Sequence, residues 1–213
     1  MTLIGYWPLN ENSGKAYDHS GNDNHGTVNG GVTQGTTGLL GDNAYNFNGS
    51  DSYVDYGFSK NFSKVSMFCW IYITDISNYD SLISKYGGEN SVGGRSYELL
   101  QNDQGGIRFH TSDDRFDSDS QIQESQWHHV GATWDGNQAR IFIDGKQDNS
   151  SQNLTHNTNN ITWQTGRSPR STNYTQGKIS EVRIYNRPIT EREVQYLYQV
   201  GSRGLQTTSK KTS

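Results

Sequence analysis

The stretch "DHSGNDNHG" (18–26) packs two aspartates, two asparagines and two histidines into nine residues. Oxygen-bearing side chains at this density suit calcium, which takes roughly six to eight hard oxygen ligands from carboxylates, amides and backbone carbonyls. Asp18 and Asp23 are the candidate metal ligands. An EF-hand order fails here: Asp18, Ser20 and Asn22 fit its first positions, but its glycine falls on Asp23 and its terminal glutamate on Asn29. The competing reading is a tight connection whose polar side chains satisfy backbone donors. His128 and His129 are adjacent in a strand-like segment, so their side chains point to opposite faces and do not share an ion. Glycoside hydrolysis needs two carboxylates across the scissile bond, which on a strand takes the form Glu-x-Asp; no such triplet occurs. Asp113-Asp114 and Asp117-Asp119 read as loop acids. The Gly-x-Ser-x-Gly elbow of serine hydrolases is also missing. Cys69, the single cysteine, lies inside an apolar run and reads as a buried thiol. No catalytic residues are assigned.

The elements that must position these groups are mostly strands. Of the 213 residues, 30% are hydrophobic but 12% are aromatic, with 5 Trp and 13 Tyr. The core is thus built from few, bulky side chains, and 24 glycines mark frequent turns. Net charge is -4 and the pI about 5.8, with a mean hydropathy of -0.90. Nucleic-acid binders carry a basic stripe; the one basic cluster here is Lys210-Lys211. No run reaches the roughly 18 apolar residues of a membrane span, and "MTLIGYWPLNENSG" lacks the basic start and long apolar core of a secretory signal. Nucleic acid and membrane insertion are therefore not expected.

"VSMFCWIYI" (65–73) has the composition of a strand buried on both faces. "AYNFNG" and "SYVDYG" flank Gly49-Ser50-Asp51 as in a hairpin. "WHHVGATWDGNQARIFIDGKQ" (127–147) alternates apolar and polar residues around two Asp-Gly pairs, the pattern of an antiparallel meander. "LIGYWPL", "DSLISKYG", "SYELLQ", "GGIRFHT", "NITWQTG" and "GKISEVRIYN" supply further strands, and "SDDRFDSDSQ" reads as a polar loop. Trp7, Trp70, Trp127 and Trp134 fall in strand patterns, as core residues do. In "NRPITEREVQYLYQVG", Thr190 and Glu193 match a capping box, and Gly201 matches a C-terminal cap. One domain, 1–201, followed by a polar tail, 202–213, is the expected organisation.

In order along the chain, "GYWPLNENSGKAYDHSGNDNHGTV", "AYNFNGSDSYVDYG", "FCWIYI", "LISKYG", "QWHHVGATWDGNQARIFIDGKQ" and "GKISEVRIYNRPITEREVQYLY" resemble the laminin-G-like, concanavalin A-like jelly-roll domains. The resemblance implies an all-β sandwich of two antiparallel sheets with one short C-terminal helix. It implies ligands held on a concave face or at the loop rim, and non-catalytic binding of carbohydrate or protein, often with calcium. The family's structural calcium uses acids where this chain has Asn10 and Ser180. Its pentraxin-like double site would place an acid-amide pair on Glu89-Asn90 and acids within "GRSPRSTNY" (166–174), which has none. The chain accordingly admits at most one calcium ion. The rim loops 86–97, 112–120 and 164–176 offer Tyr86, Glu89, Asn90, Arg95, Tyr97, Asp113, Asp114, Arg167, Arg170, Asn173 and Tyr174 as a sugar-binding set. The expected function is lectin-like recognition of a glycan or cell-surface polysaccharide, outside the cell or on a virion surface. The alternative is a structural decoration or attachment protein of a larger assembly, with other chains as partners. A glycoside hydrolase ranks third.

Overall fold

The structure, a computed structural model, describes residues 2–39, 41–87, 96–112, 114–148, 151–169 and 173–208. The first half of the chain forms β1 (Leu3–Trp7), β2 (Thr27–Asn29), β3 (Thr33–Thr37), β4 (Asn43–Asn48), β5 (Tyr53–Asp55), β6 (Val65–Ile73), β7 (Asp80–Ser84) and β8 (Glu98–Gln101). The second half adds β9 (Gly106–His110), β10 (Arg115–Gln121), β11 (Trp127–Trp134), β12 (Gln138–Ile143), β13 (Lys146–Gln147), β14 (Gln152–Asn153), β15 (Gln164–Thr165), β16 (Gln176–Tyr185) and the helix α1 (Glu191–Thr208).

These strands make two antiparallel sheets. The nine-stranded sheet runs β13-β12-β11-β6-β16-β4-β3, with β1 also on β16 and β14 on β12; the seven-stranded sheet runs β10-β9-β8-β7-β15-β5-β2. The jelly-roll sandwich expected from the sequence is the fold observed. Strand β6 shows how apolar patterning builds it. Val65, Met67, Cys69, Ile71 and Ile73 face the inter-sheet core with Trp7, Tyr45, Leu99, Phe109 and Trp163. Phe68 on the opposite face meets Phe142, Ile189, Val194 and Leu197 of the helix side. Both faces of β6 are thus buried, and each fully buried large side chain contributes about 1.5–3 kcal/mol.

The meander is present in register, with Val130 opposite Ile143 and Trp134 opposite Ala139. Its second turn has φ of 49° at Asp144 and 80° at Gly145, as a two-residue turn with positive φ at both centres requires. The capping box also forms. Thr190 N and Oγ1 donate to Glu193 Oε2 at 2.8 and 3.0 Å, and Glu193 N donates to Thr190 Oγ1 at 3.3 Å.

Three sequence expectations are corrected. The Gly49-Ser50-Asp51 turn does not close a hairpin: β4 lies in one sheet and β5 in the other. Asn48 Oδ1 accepts from Ser50 N, Asp51 N, Ser52 N and Ser52 Oγ, so this corner satisfies its own donors while it carries the chain across the sandwich. "SDDRFDSDSQ" is mainly a strand, β10, at the edge of the smaller sheet. Phe116 is its buried anchor, and charged residues elsewhere on an edge strand discourage pairing with another chain. Gly201 does not cap the helix, which continues to Thr208. A Cβ at 201 would lie 2.3 Å from Trp70 Nε1; the glycine is there for close packing of α1 on β6. The polar tail is therefore helical through 208, and 209–213 lie outside the described residues.

Candidate functional site at the Asp80 end of the smaller sheet

The β6–β7 connection, the β8–β9 turn and the residues leading into β16 converge at the N-terminal end of β7. Each is shaped by local side-chain hydrogen bonds. Asp75 Oδ1 accepts from Ser77 N at 2.9 Å and Ser77 Oγ at 2.6 Å, and Oδ2 accepts from Asn78 Nδ2 at 3.0 Å. This Asx turn presents Asn78 and Tyr79 outward. Gln101 Nε2 ties it to β8 by donating to the Ile76 and Asn78 carbonyls at 3.1 and 3.2 Å. Asn102 Oδ1 closes the β8–β9 turn on Gln104 N at 3.0 Å and Gly106 N at 2.9 Å. Thr175 Oγ1 donates to the Ser81 carbonyl at 2.8 Å, and Gln176 N to Asp80 Oδ1 at 2.7 Å. These bonds leave an open, polar cleft of about 360 Å³ between the segments. Tyr79 and Tyr174 contribute rings; Asn78, Asn173, Gln176 and Ser77 contribute amides and a hydroxyl; Asp80, Asp103 and Gly49 complete the lining. The Arg108 guanidinium lies 5.7 Å from the Tyr79 ring centre and is held by Asp117 through contacts of 2.5 and 2.9 Å.

Asp80 is the electrostatic anomaly of the cleft. It is 0% exposed, and its Oδ2 has no hydrogen-bond partner. Burial, opposed by the Gln176 N–H and helped by the Asp75 charge, pushes its carboxyl up to about 7. Asp75 moves the other way, because the Ser77 and Asn78 donors hold its carboxyl below the usual range. One cleft therefore joins a carboxyl that is half protonated near neutrality to an ionised neighbour.

A family model described as the concanavalin A-like lectin/glucanases superfamily matches residues 48–195. The chain belongs to this superfamily. A search among curated proteins gave no match. Among solved structures, domain 4 of AbnA, a GH43 extracellular arabinanase from Geobacillus stearothermophilus, has a TM-score of 0.74 at 18% identity. It was solved with arabinotriose, and the match covers 93% of this chain and 98% of that one. The botulinum neurotoxin serotype D ligand-binding domain, in complex with N-acetylneuraminic acid, has a TM-score of 0.71 at 16% identity over 93% of this chain and 50% of that one. A Trypanosoma rangeli sialidase has a TM-score of 0.69 at 14% identity over 95% and 33%. At these identities the likeness shows the fold.

On this concanavalin A-like scaffold, the expected rim residues separate. Asn173 and Tyr174 line the cleft. Arg167 stands beside it, its guanidinium 3.6 Å above the Tyr53 ring and its Nε donating to Gln164 Oε1 at 2.8 Å. Tyr86, Tyr97 and Asp114 belong to the other end of the sheet, about 20 Å away at about 3.3 Å per strand residue. Tyr97 is corrected from rim to core: it is 0% exposed and stacks on Trp163 and His156 at 5.3 and 4.7 Å. Tyr86 is 4% exposed against His110. Asp114 accepts from Thr155 N at 2.9 Å and Thr155 Oγ1 at 2.5 Å, fastening the start of β10 to the segment after β14. Glu89, Asn90, Arg95, Asp113 and Arg170 lie outside the described residues. Sequence reasoning missed Ser77, Asn78, Tyr79, Asp80, Asp103 and Gln176. The available signal was "DISNYD" (75–80), an Asx-turn pattern leading to an acid at the head of an apolar strand.

Neither expected calcium position has a suitable donor set. Asp18 Oδ1 accepts from Tyr6 N and Ser20 N, and Oδ2 from Ser20 Oγ and Asn24 N, at 2.8–3.0 Å. The protein's own donors use this carboxylate. Asp23 points outward, with 91% of its side chain exposed. Asn10 and Ser180 border a smaller cavity of about 240 Å³ with Glu181. The Glu181 carboxylate is taken by Tyr6 Oη, at 3.0 and 3.1 Å, and Arg183 Nη2 at 2.7 Å. Among the described residues no group of three or more His, Cys, Asp or Glu converges as a metal site. His128 and His129 part as their strand requires. His128 Nδ1 meets Asp144 Oδ2 at 2.9 Å. His129 is buried between Phe68 and Trp70 rings, and burial pushes it down to about 3. The Cys69 thiol is buried, and desolvation raises it far above its ordinary value.

Proposed function

We propose that this protein is a non-catalytic carbohydrate-binding domain that holds a glycan in the cleft at the Asp80 end of the smaller sheet. The observation that carries this reading is the pairing of two half-buried tyrosine rings, Tyr79 and Tyr174, with planar amides in one open polar cleft. Aromatic faces accept the C–H faces of sugar rings, and amides meet their hydroxyls. Two of the similar structures were solved with arabinotriose and N-acetylneuraminic acid, which supports a sugar as the occupant. Binding in this reading is independent of calcium.

The test is a glycan array probed with the wild type, Tyr79→Ala and Tyr174→Ala, with calcium and with chelator. Each substitution is expected to weaken a hit about tenfold, near 1.4 kcal/mol, with the melting temperature unchanged and no effect of chelator. Failure to find any hit under both conditions overturns the reading. One observation favours a hydrolase instead: a carboxyl raised to about 7 beside an ionised one is the arrangement of a general acid and its partner. Against it, the ionised partner is already occupied: the Asp75 oxygens accept from Ser77 and Asn78, and Asp75 is not among the lining residues. Release of reducing ends from a bound glycan, lost in Asp80→Asn, would decide for the hydrolase.

A further inference from the structure

We infer that the cleft selects uncharged, hydroxyl-rich glycans and rejects anionic ones such as uronates and sialic acid, an inference that rests on the glycan reading above. The charge around the cleft carries it. Among the described residues the lining contains two acids, Asp80 and Asp103, and no Lys, Arg or His. Asp75 adds a third carboxylate beneath the Ser77–Asn78 turn. Arg108 reaches the Tyr79 ring, but Asp117 already grips its guanidinium at two points. Arg167, beside the cleft, lays its guanidinium on the Tyr53 ring and donates Nε to Gln164 Oε1. A sugar carboxylate is held where arginine can offer a free, planar fork; the described lining offers carboxylates instead. An anionic sugar would enter like-charged surroundings.

The unpartnered Asp80 Oδ2 is a second, independent pointer to a ligand. It is the one carboxylate oxygen among the buried, described side chains with no hydrogen-bond partner. A buried polar atom left in this state costs stability until something meets it. A neutral sugar hydroxyl can donate to it when ionised and accept from it when protonated. A ligand carboxylate can do only the second, and then only in the protonated fraction. The site is therefore matched to a hydroxyl and mismatched to an anion.

The experiment uses the full chain on an array of matched oligosaccharide pairs, each a neutral sugar and its C6-oxidised uronate of the same linkage, with sialylated probes alongside. Neutral members are expected to bind at least tenfold more tightly than their uronates. Asp103→Asn, at an exposed turn, should narrow that ratio severalfold, and Asp80→Asn should narrow it further. Preferential binding of uronates or sialylated probes overturns the inference and leaves the glycan reading standing. An unchanged ratio in Asp103→Asn and Asp80→Asn also overturns it. No hit of either kind, or hits indifferent to Tyr79→Ala and Tyr174→Ala, overturns the glycan reading and the inference with it.

Discussion

The two ends of β7 are built from the same kinds of residue and finish in opposite states. Past its C-terminal end, Lys85 is 0% exposed and donates to the Asn159 carbonyl and Oδ1 at 2.6 and 2.7 Å. Tyr97 there is sandwiched by Trp163 and His156, and its hydroxyl donates to the Phe62 carbonyl. The irregular segment 154–163 supplies His156, Asn159 and Trp163 and fills that end. At the N-terminal end no described segment fills the space between Tyr79 and Tyr174. Tyrosines, amides and a buried charge therefore do not mark a site by their presence. What decides is whether another stretch of chain has already used them.

The largest expected difference between the ends is in stability. Tyr97→Ala removes a wholly buried ring and is expected to cost about 4 kcal/mol in urea unfolding, while the folded fraction keeps its glycan affinity; a parallel loss of affinity would break the comparison. Next comes pH. The folded Asp80 carboxyl titrates at about 7, above its unfolded value near 3.8, so the native state holds the proton more tightly. Its contribution is favourable at low pH and is lost as pH rises from about 4 to 7. Lys85 is displaced the opposite way, pulled down by burial to about 8, so stability rises with pH between about 8 and 10.5. Asp80→Asn is expected to gain roughly 2 kcal/mol at pH 8 and nothing at pH 4, read as melting temperatures at the two values. A gain equal at both pH values would show that the carboxyl is not strained by burial. The smallest effect is at Asp114, where loss of the two Thr155 bonds in Asp114→Ala should cost about 1 kcal/mol and leave glycan binding untouched.

The architecture was largely legible. β6 announced itself by an unbroken apolar run, the meander by its Asp-Gly pairs, and α1 by Thr190 and Glu193. The corner at Asn48–Ser52 was not, because two flanking strands look alike whether they pair with each other or with different sheets. β10 was hidden by its edge position, which needs one buried anchor, Phe116, and tolerates polar residues elsewhere. Gly201 was misread because a glycine chosen for close approach to Trp70 has the same letter as one chosen for positive φ. In the cleft, Asn173 and Tyr174 were found, but Tyr97 could not be told from Tyr79 by composition. The difference lies in contacts with Trp163 and His156, more than fifty residues downstream.

Strand β16 has a consequence for the order of events during synthesis. It lies in the middle of the larger sheet, pairing β6 on one side and β4 and β1 on the other. Until residues 176–185 leave the ribosome, β1, β4 and one edge of β6 have no neighbour there. The most apolar strand in the chain must wait with an open edge for a segment more than a hundred residues behind it. Pairings of that sequence separation form slowly, and open apolar edges recruit other chains. A nascent chain stalled before residue 176 is accordingly the form of this protein most in need of a chaperone, and the arrival of β16 is the step that closes the larger sheet.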